Sequence, residues 1–232
     1  VRMWAPQLAA IAATMLFLWV CYWRRGARGA ERYEPPEPPT VRDRVLFSTT
    51  GTACLLFIAV ILAGVQIEIA ATIAAAVVVA VFGWRERSKL TWDLVPWRLL
   101  VFVTGLFLVV PTLSRHGLDQ VMAALIGSDD GWLGAYRAAA AGAGLSNVLN
   151  NLPAYVAGEA VIPAANQDQL LALLIGVNVG PLVTPWASLA TLLWFEWCRR
   201  RGVRVPLLTF VLTGAGLAVT ALAVSVGALL LI

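Results

Sequence analysis

Two stretches of this chain carry polar chemistry inside apolar sequence. Residues 142–153 read GAGLSNVLNNLP, and residues 177–186 read VNVGPLVTPW. The first offers Ser146, Asn147, Asn150 and Asn151; the second offers Asn178, Gly180, Thr184 and Pro185. Hydroxyl and carboxamide groups hold an oxygen-rich solute, or a hard cation such as sodium, without bringing a net charge. Glycine and proline at the same places interrupt a helix and free main-chain groups as well. In hydrocarbon an unpaired N–H or C=O costs several kcal/mol, so broken backbone at membrane depth belongs inside protein or around a polar cavity. Two such breaks in adjacent elements are the mark of a transporter's substrate site. The competing reading is a pair of kinks whose polar groups satisfy one another.

Both breaks carry capping chemistry. Asn151 is placed to cap a helix with Pro153 in its first turn, and Thr184 to cap another with Pro185 at its first position. Gly142 and Gly144 let the chain bend ahead of the first break. Asn178 and Gly180, which tolerate left-handed backbone, are placed to end a half-helix at the second. Two helix N-termini then aim at one point, where they attract anions and polar solutes. Carbonyls freed ahead of each break face a cation.

The elements that must position these residues are membrane helices. Of 232 residues, 60% are hydrophobic and 13% charged, against roughly half and a quarter in soluble domains. The sequence predicts an all-α polytopic membrane protein. It has about six transmembrane helices, one re-entrant helical hairpin and one broken helix. A transmembrane helix at 1–23 precedes a linker at 24–44, whose EPPEPP favours extended polyproline II. Residues 45–232 form a transport domain with spans at 45–65, 69–83, 98–113 and 207–232. Residues 114–130 form an external segment with a short interfacial helix near 120–126. The hairpin occupies about 131–163, with arms at 132–146 and 152–162 that are each too short for a ~30 Å core. The broken helix occupies about 170–198.

Charge assigns the sides. Of 17 Lys and Arg, 14 fall at 24–44, 85–98 and 199–204. Those clusters land on one side, the cytoplasm, if the hairpin enters from outside and leaves on the same side. The linker is then cytoplasmic, the C-terminus outside, and the chain a multi-pass protein of the cell membrane with the lipid bilayer as its first partner. The net charge of +4 is thus topological and gives no reason to expect nucleic acid. Trp84, Trp92 and Trp97 read as interfacial anchors. Arg137 and Glu159 flank the hairpin tip at similar distances and are expected to pair between the arms, with a proton relay as the alternative. Glu196 reads as an interfacial charge beside Arg199, Arg200 and Arg201. His116 and the scattered Cys21, Cys54 and Cys198 form no metal or disulfide pattern. No metal or cofactor is expected beyond a proton or sodium ion for coupling. With no catalytic constellation, an enzyme is disfavoured.

Residues 145–153, LSNVLNNLP, and 176–194, GVNVGPLVTPWASLATLLW, resemble the arsenical pump membrane protein family. That family lies within the superfamily that includes citrate and divalent-anion symporters. The resemblance implies two inverted repeats, each with a hairpin and a broken helix. This chain shows one such set and is similar to the second repeat, which makes it a C-terminal half or fragment completed by an N-terminal half or a partner repeat. It further implies efflux of arsenite or antimonite, driven by proton exchange or an associated ATPase, with a homodimer as another assembly. Ser146, Asn147, Asn150, Asn151, Asn178, Thr184 and Pro185 are the positions it assigns to the site. The cysteines lie far from the breaks, so a thiol-lined path for trivalent arsenic is not expected. A sodium- or proton-coupled carboxylate transporter, a sodium/proton antiporter and a non-transporting membrane subunit are the alternatives.

Overall fold

The computed structural model of the chain describes residues 2–23, 40–41 and 43–232. The linker expected at 24–44 lies outside them except for its last few residues. Among the described residues every regular element is helical. Five stretches are long and apolar enough to cross a membrane: Trp4–Tyr22, Arg44–Leu62, Ile67–Arg85, Leu99–Ile126 and Leu207–Leu230. Four of them fall where the apolar runs predicted spans; the remaining one, Leu99–Ile126, also takes in most of the segment 114–130 expected outside, and five such stretches stand among the described residues where about six transmembrane helices were expected. The chain forms two compact units, residues 32–97 and residues 1–31 with 98–232.

The smaller unit is a helical pair, α2 (Arg44–Leu62) and α3 (Ile67–Arg85), joined by a turn with Gly64 at φ +88°. Asp43 closes its polar end. One carboxylate oxygen accepts the Val45 and Leu46 N–H groups at 2.9 and 3.1 Å, which caps α2, and the other accepts Arg85 Nε at 2.6 Å. That guanidinium holds the Asp43 carboxyl below the usual carboxylate range.

The larger unit contains α1 (Trp4–Leu18, continued by a π-turn to Trp23), α4 (Trp97–Leu113, whose first residue belongs to the smaller unit), α5 (Asp119–Ile126), α6 (Gly131–Leu149), α7 (Asn151–Glu159), α8 (Gln167–Val179), α9 (Leu189–Arg200) and α10 (Leu207–Leu230). Close approaches give the helix directions. Along α6 and α8, Gly134 meets Gln169, Gly176 meets Ala139, and Gly180 meets Ala143. Both numbers rise together, so the two helices run parallel. α10 runs against them, since Gly214 meets Leu182 at the break while Gly227 meets Tyr136 near the start of α6. α1 opposes α10, with Tyr22 hydrogen-bonded to Thr213. The core lies among α5, α6, α7 and α8, where Ala135, Ala138, Ala139, Ala154 and Ala172 are fully buried beside Met122 and Leu173. Small side chains let these backbones approach closely.

A short helix stands where one was expected near 120–126: in α5, Met122 and Ile126, four residues apart, are buried in that core because i and i+4 share one helix face. Two local expectations are corrected. α6 is longer than the expected arm. At 19 residues it is about 28 Å long, nearly the thickness of a bilayer core. Gly142 and Gly144 do not bend it. Gly142 instead admits Leu173 and Val177 of α8 to within 3.0 Å of where its Cβ would stand.

Candidate functional site

The hairpin turns at a single residue. Asn150 takes φ +80° and ψ 156°, a region that glycine enters freely and other residues enter at a cost of about 1–3 kcal/mol. Two hydrogen bonds hold it there. Its N–H donates to Ser146 O at 3.0 Å, ending α6, and its Nδ2 donates to Trp186 O at 2.9 Å in the second break. The cap of α7 is therefore Asn150 by position, not Asn151, and its side chain is spent on the other break. Asn151 is the first helical residue. Its N–H donates to Ala187 O at 2.9 Å, and its Oδ1 accepts the Leu152 N–H at 2.9 Å. Pro153 sits in the first turn, as its missing N–H requires.

Asn147 binds the same two elements one turn earlier. Its Nδ2 donates to Ala143 O at 2.8 Å and to Gly180 O at 2.9 Å. Its Oδ1 accepts the Thr184 N–H at 3.1 Å and the Thr184 hydroxyl at 2.7 Å. Its backbone carbonyl accepts the Trp186 indole N–H at 2.7 Å. One side chain thus ties α6 to the start and the middle of the second break. Ser146 is fully buried beneath it, with its hydroxyl donating to Ala143 O at 2.8 Å.

The second break runs from Gly180 to Ser188. Gly180 is right-handed, at φ −50° and ψ −42°, so left-handed freedom is not why glycine stands there. A Cβ would collide with Ser146 Oγ and the Ala143 backbone. Residues Gly180–Leu182 form a 3₁₀ turn, and Pro185 lies in the turn closed by the Ala187 N–H on Thr184 O at 3.3 Å. Thr184 does not cap the next helix. Ser188 does, through its hydroxyl on the Thr191 N–H at 3.2 Å. The two helix starts, Asn151 of α7 and Ser188 of α9, flank one hydrogen bond from Asn151 to Ala187, so they meet, though not through the caps Asn151 and Thr184 that the sequence suggested.

Of the expected residues, Ser146, Asn147, Asn150, Asn151, Gly180, Thr184 and Pro185 come together in this latch. Asn178 does not; it is exposed, and its Nδ2 folds back to Leu174 O at 2.8 Å on its own helix. Trp186, Ser188 and the Ala143 and Ala187 carbonyls were missed. Ser188 carried a legible signal, an N-cap type with Thr191 three residues on, whereas backbone carbonyls carry none. Every side chain in the latch is uncharged, so its field comes from amide dipoles, hydroxyls and two helix starts.

The expected arm-to-arm pair is corrected. Arg137 binds the carboxylate of Asp129 in the α5–α6 loop, with a second bond to Ala124 O at 3.0 Å, while Glu159 is exposed at the end of α7. The loop comes so close that a Cβ at Gly127 would strike the Arg137 guanidinium. Gln169, 2% exposed, locks the same loop through Asp129 O at 3.0 Å, and Arg2 reaches Asp168 at 2.8 Å. These groups line an open cavity of about 950 Å³ at the base of the hairpin, the end away from the latch. Glu196 behaves as expected, accepting Arg199 and Arg200 at 2.9 and 3.0 Å.

The family model described as "Citrate transporter" matches residues 1–191. The chain is 27% identical to proteins named "Arsenical pump membrane protein" from Escherichia coli (strain K12) and Shigella flexneri, over 97% of its own length and 56% of theirs. A relative of the same name from Yersinia enterocolitica is 31% identical over 59% of the chain and 34% of that protein. The chain spans about half the length of these curated relatives. No solved structure matches it. The resemblance carried by residues 145–153 and 176–194 is thereby borne out, and with most of its length matched the chain belongs to the citrate transporter family, a family of membrane transport proteins.

Proposed function

We propose that the chain supplies one wall of a secondary-transport site, and that its solute is arsenite or antimonite, moved outward. The observation that carries this reading is the latch itself. Two helix breaks about 35 residues apart meet through Asn147, Asn150 and Asn151, the arrangement of a midplane transport site. Its side chains carry no charge, which suits arsenous acid, an uncharged hydroxylated solute at neutral pH. The nearest cation on the same helix is Arg137, thirteen residues from Asn150 and so ~20 Å along the helix. A tricarboxylate would call for a closer one. The names of the relatives support arsenite; the family description favours the second reading, a sodium- or proton-coupled citrate carrier.

The test is transport by cells expressing the complete protein. Wild type should lower intracellular arsenite, and Asn150→Gly and Asn147→Ala should abolish most of that export at matched membrane levels. Export that survives both substitutions would remove the latch from the mechanism. Sodium-driven citrate uptake without arsenite export would move the assignment to the second reading.

A further inference from the structure

α9 and the start of α10 meet in a seam of aromatic rings, with a strongly basic turn at one end. Trp194 and Phe195 of α9 pack on Phe210 of α10, with ring centroids 6.2 and 5.0 Å apart. On the side nearer the break a cavity of about 410 Å³ is lined by Leu182, Thr191, Trp194, Phe210 and Leu217. On the other side a cavity of about 800 Å³ is lined by Leu192, Phe195, Arg199 and Arg204. Gly202, at φ +71°, turns the chain back there, with the Val203 N–H on Cys198 O at 2.9 Å. The turn gathers Arg204 beside the arginines that end α9. Residues 196–204 hold four arginines against one glutamate, a net charge of +3. Arg199 and Arg200 share Glu196, and Arg201 lies 5.1 Å over the Trp197 ring.

A free anion needs only the basic turn, and an acyl chain needs only the aromatic seam. A molecule that uses both is amphipathic with an anionic head. We propose that the α9–α10 seam binds an anionic phospholipid, its phosphate at the turn 199–204 and an acyl chain against Trp194 and Phe210. Arginine forks match phosphate oxygens, Trp197 sits where an interfacial ring belongs, and basic pockets beside membrane helices select anionic headgroups. This inference does not depend on the transported solute.

Native mass spectrometry of the full chain, released from vesicles of phosphatidylglycerol mixed with phosphatidylcholine, tests it. Phosphatidylglycerol should be retained at least about tenfold over phosphatidylcholine, in a salt-dependent manner. The pair Arg201→Gln and Arg204→Gln should cut that preference roughly tenfold, while Arg201→Lys with Arg204→Lys keeps most of it. Trp194→Ala should weaken retention of both lipids. Millimolar inorganic phosphate should not displace the lipid. Equal retention of the two lipids, preference unmoved by the glutamine pair, or full displacement by phosphate would each overturn the proposal. Should the glutamine pair fail to fold, the salt dependence of wild-type retention still decides.

Discussion

Asn147 is the residue through which the two breaks hold each other. A carboxamide fits because it donates and accepts in one plane, so two carbonyls and one N–H are met by a single uncharged group. Asn147→Ala strands the Thr184 N–H and removes two donors at once. We expect a loss of about 2–4 kcal/mol, read as a lowered melting temperature in detergent with α6 still helical. Asn147→Asp keeps the acceptor but aims an anionic oxygen at the Ala143 and Gly180 carbonyls, so it should destabilise more than alanine does. Equal melting of wild type and both variants would show that the latch is energetically idle. Asn150 makes a related point. Its strained backbone is held from outside by Trp186 O, so Asn150→Gly relieves the turn while cutting its tether, which makes it a probe of function more than of folding.

Between α6 and α8, glycine acts through contact, not freedom. α6 and α8 pack so closely that Gly176 has no room for a Cβ against Ala139 O, nor Gly180 against Ser146 and Ala143. Gly144, on the same helix as Gly142, faces open space. The contrast gives a paired prediction. Gly180→Ala should destabilise by about 1–3 kcal/mol through overpacking, whereas Gly144→Ala should stabilise by roughly 0.5–1 kcal/mol through helix propensity. Thermal denaturation of the two variants side by side checks it, and an unharmed Gly180→Ala would mean that α6 and α8 are not in this register. The parallel register also explains why Gly180 looked like a helix-ending residue in sequence. It stands at a helix end for a different reason, the contact with the hairpin tip.

Across the larger unit, charge separates to two ends. Arg2, Asp129, Arg137 and Asp168 gather at the base of the hairpin, and Arg199, Arg200, Arg201 and Arg204 follow α9 beyond the break. The excess of lysine and arginine on one side is what membrane insertion reads, so we propose that the base lies outside and the α9 end in the cytoplasm. With the three native cysteines replaced by serine, Asp130→Cys should react with an impermeant thiol reagent in intact cells. Arg204→Cys should react only after permeabilisation. The reverse pattern would invert the topology and put the hairpin's entrance in the cytoplasm.

Much of this was legible without coordinates. Long apolar runs dictate helices because no other structure satisfies backbone groups in lipid, and runs of Asn, Gly and Pro mark where those helices stop. The spans, the hairpin and the broken helix followed from such local rules. The partners did not. That Asn147 meets Gly180 and Thr184, that Asn178 turns away, that Arg137 chooses Asp129 over Glu159, and that Ser188 instead of Thr184 starts α9 all depend on which helix faces lie against each other. Residue types near a break declare that polar groups need satisfying. Only packing, set by small residues along α6 and α8, decides which carbonyl, carboxylate or hydroxyl comes within hydrogen-bond reach.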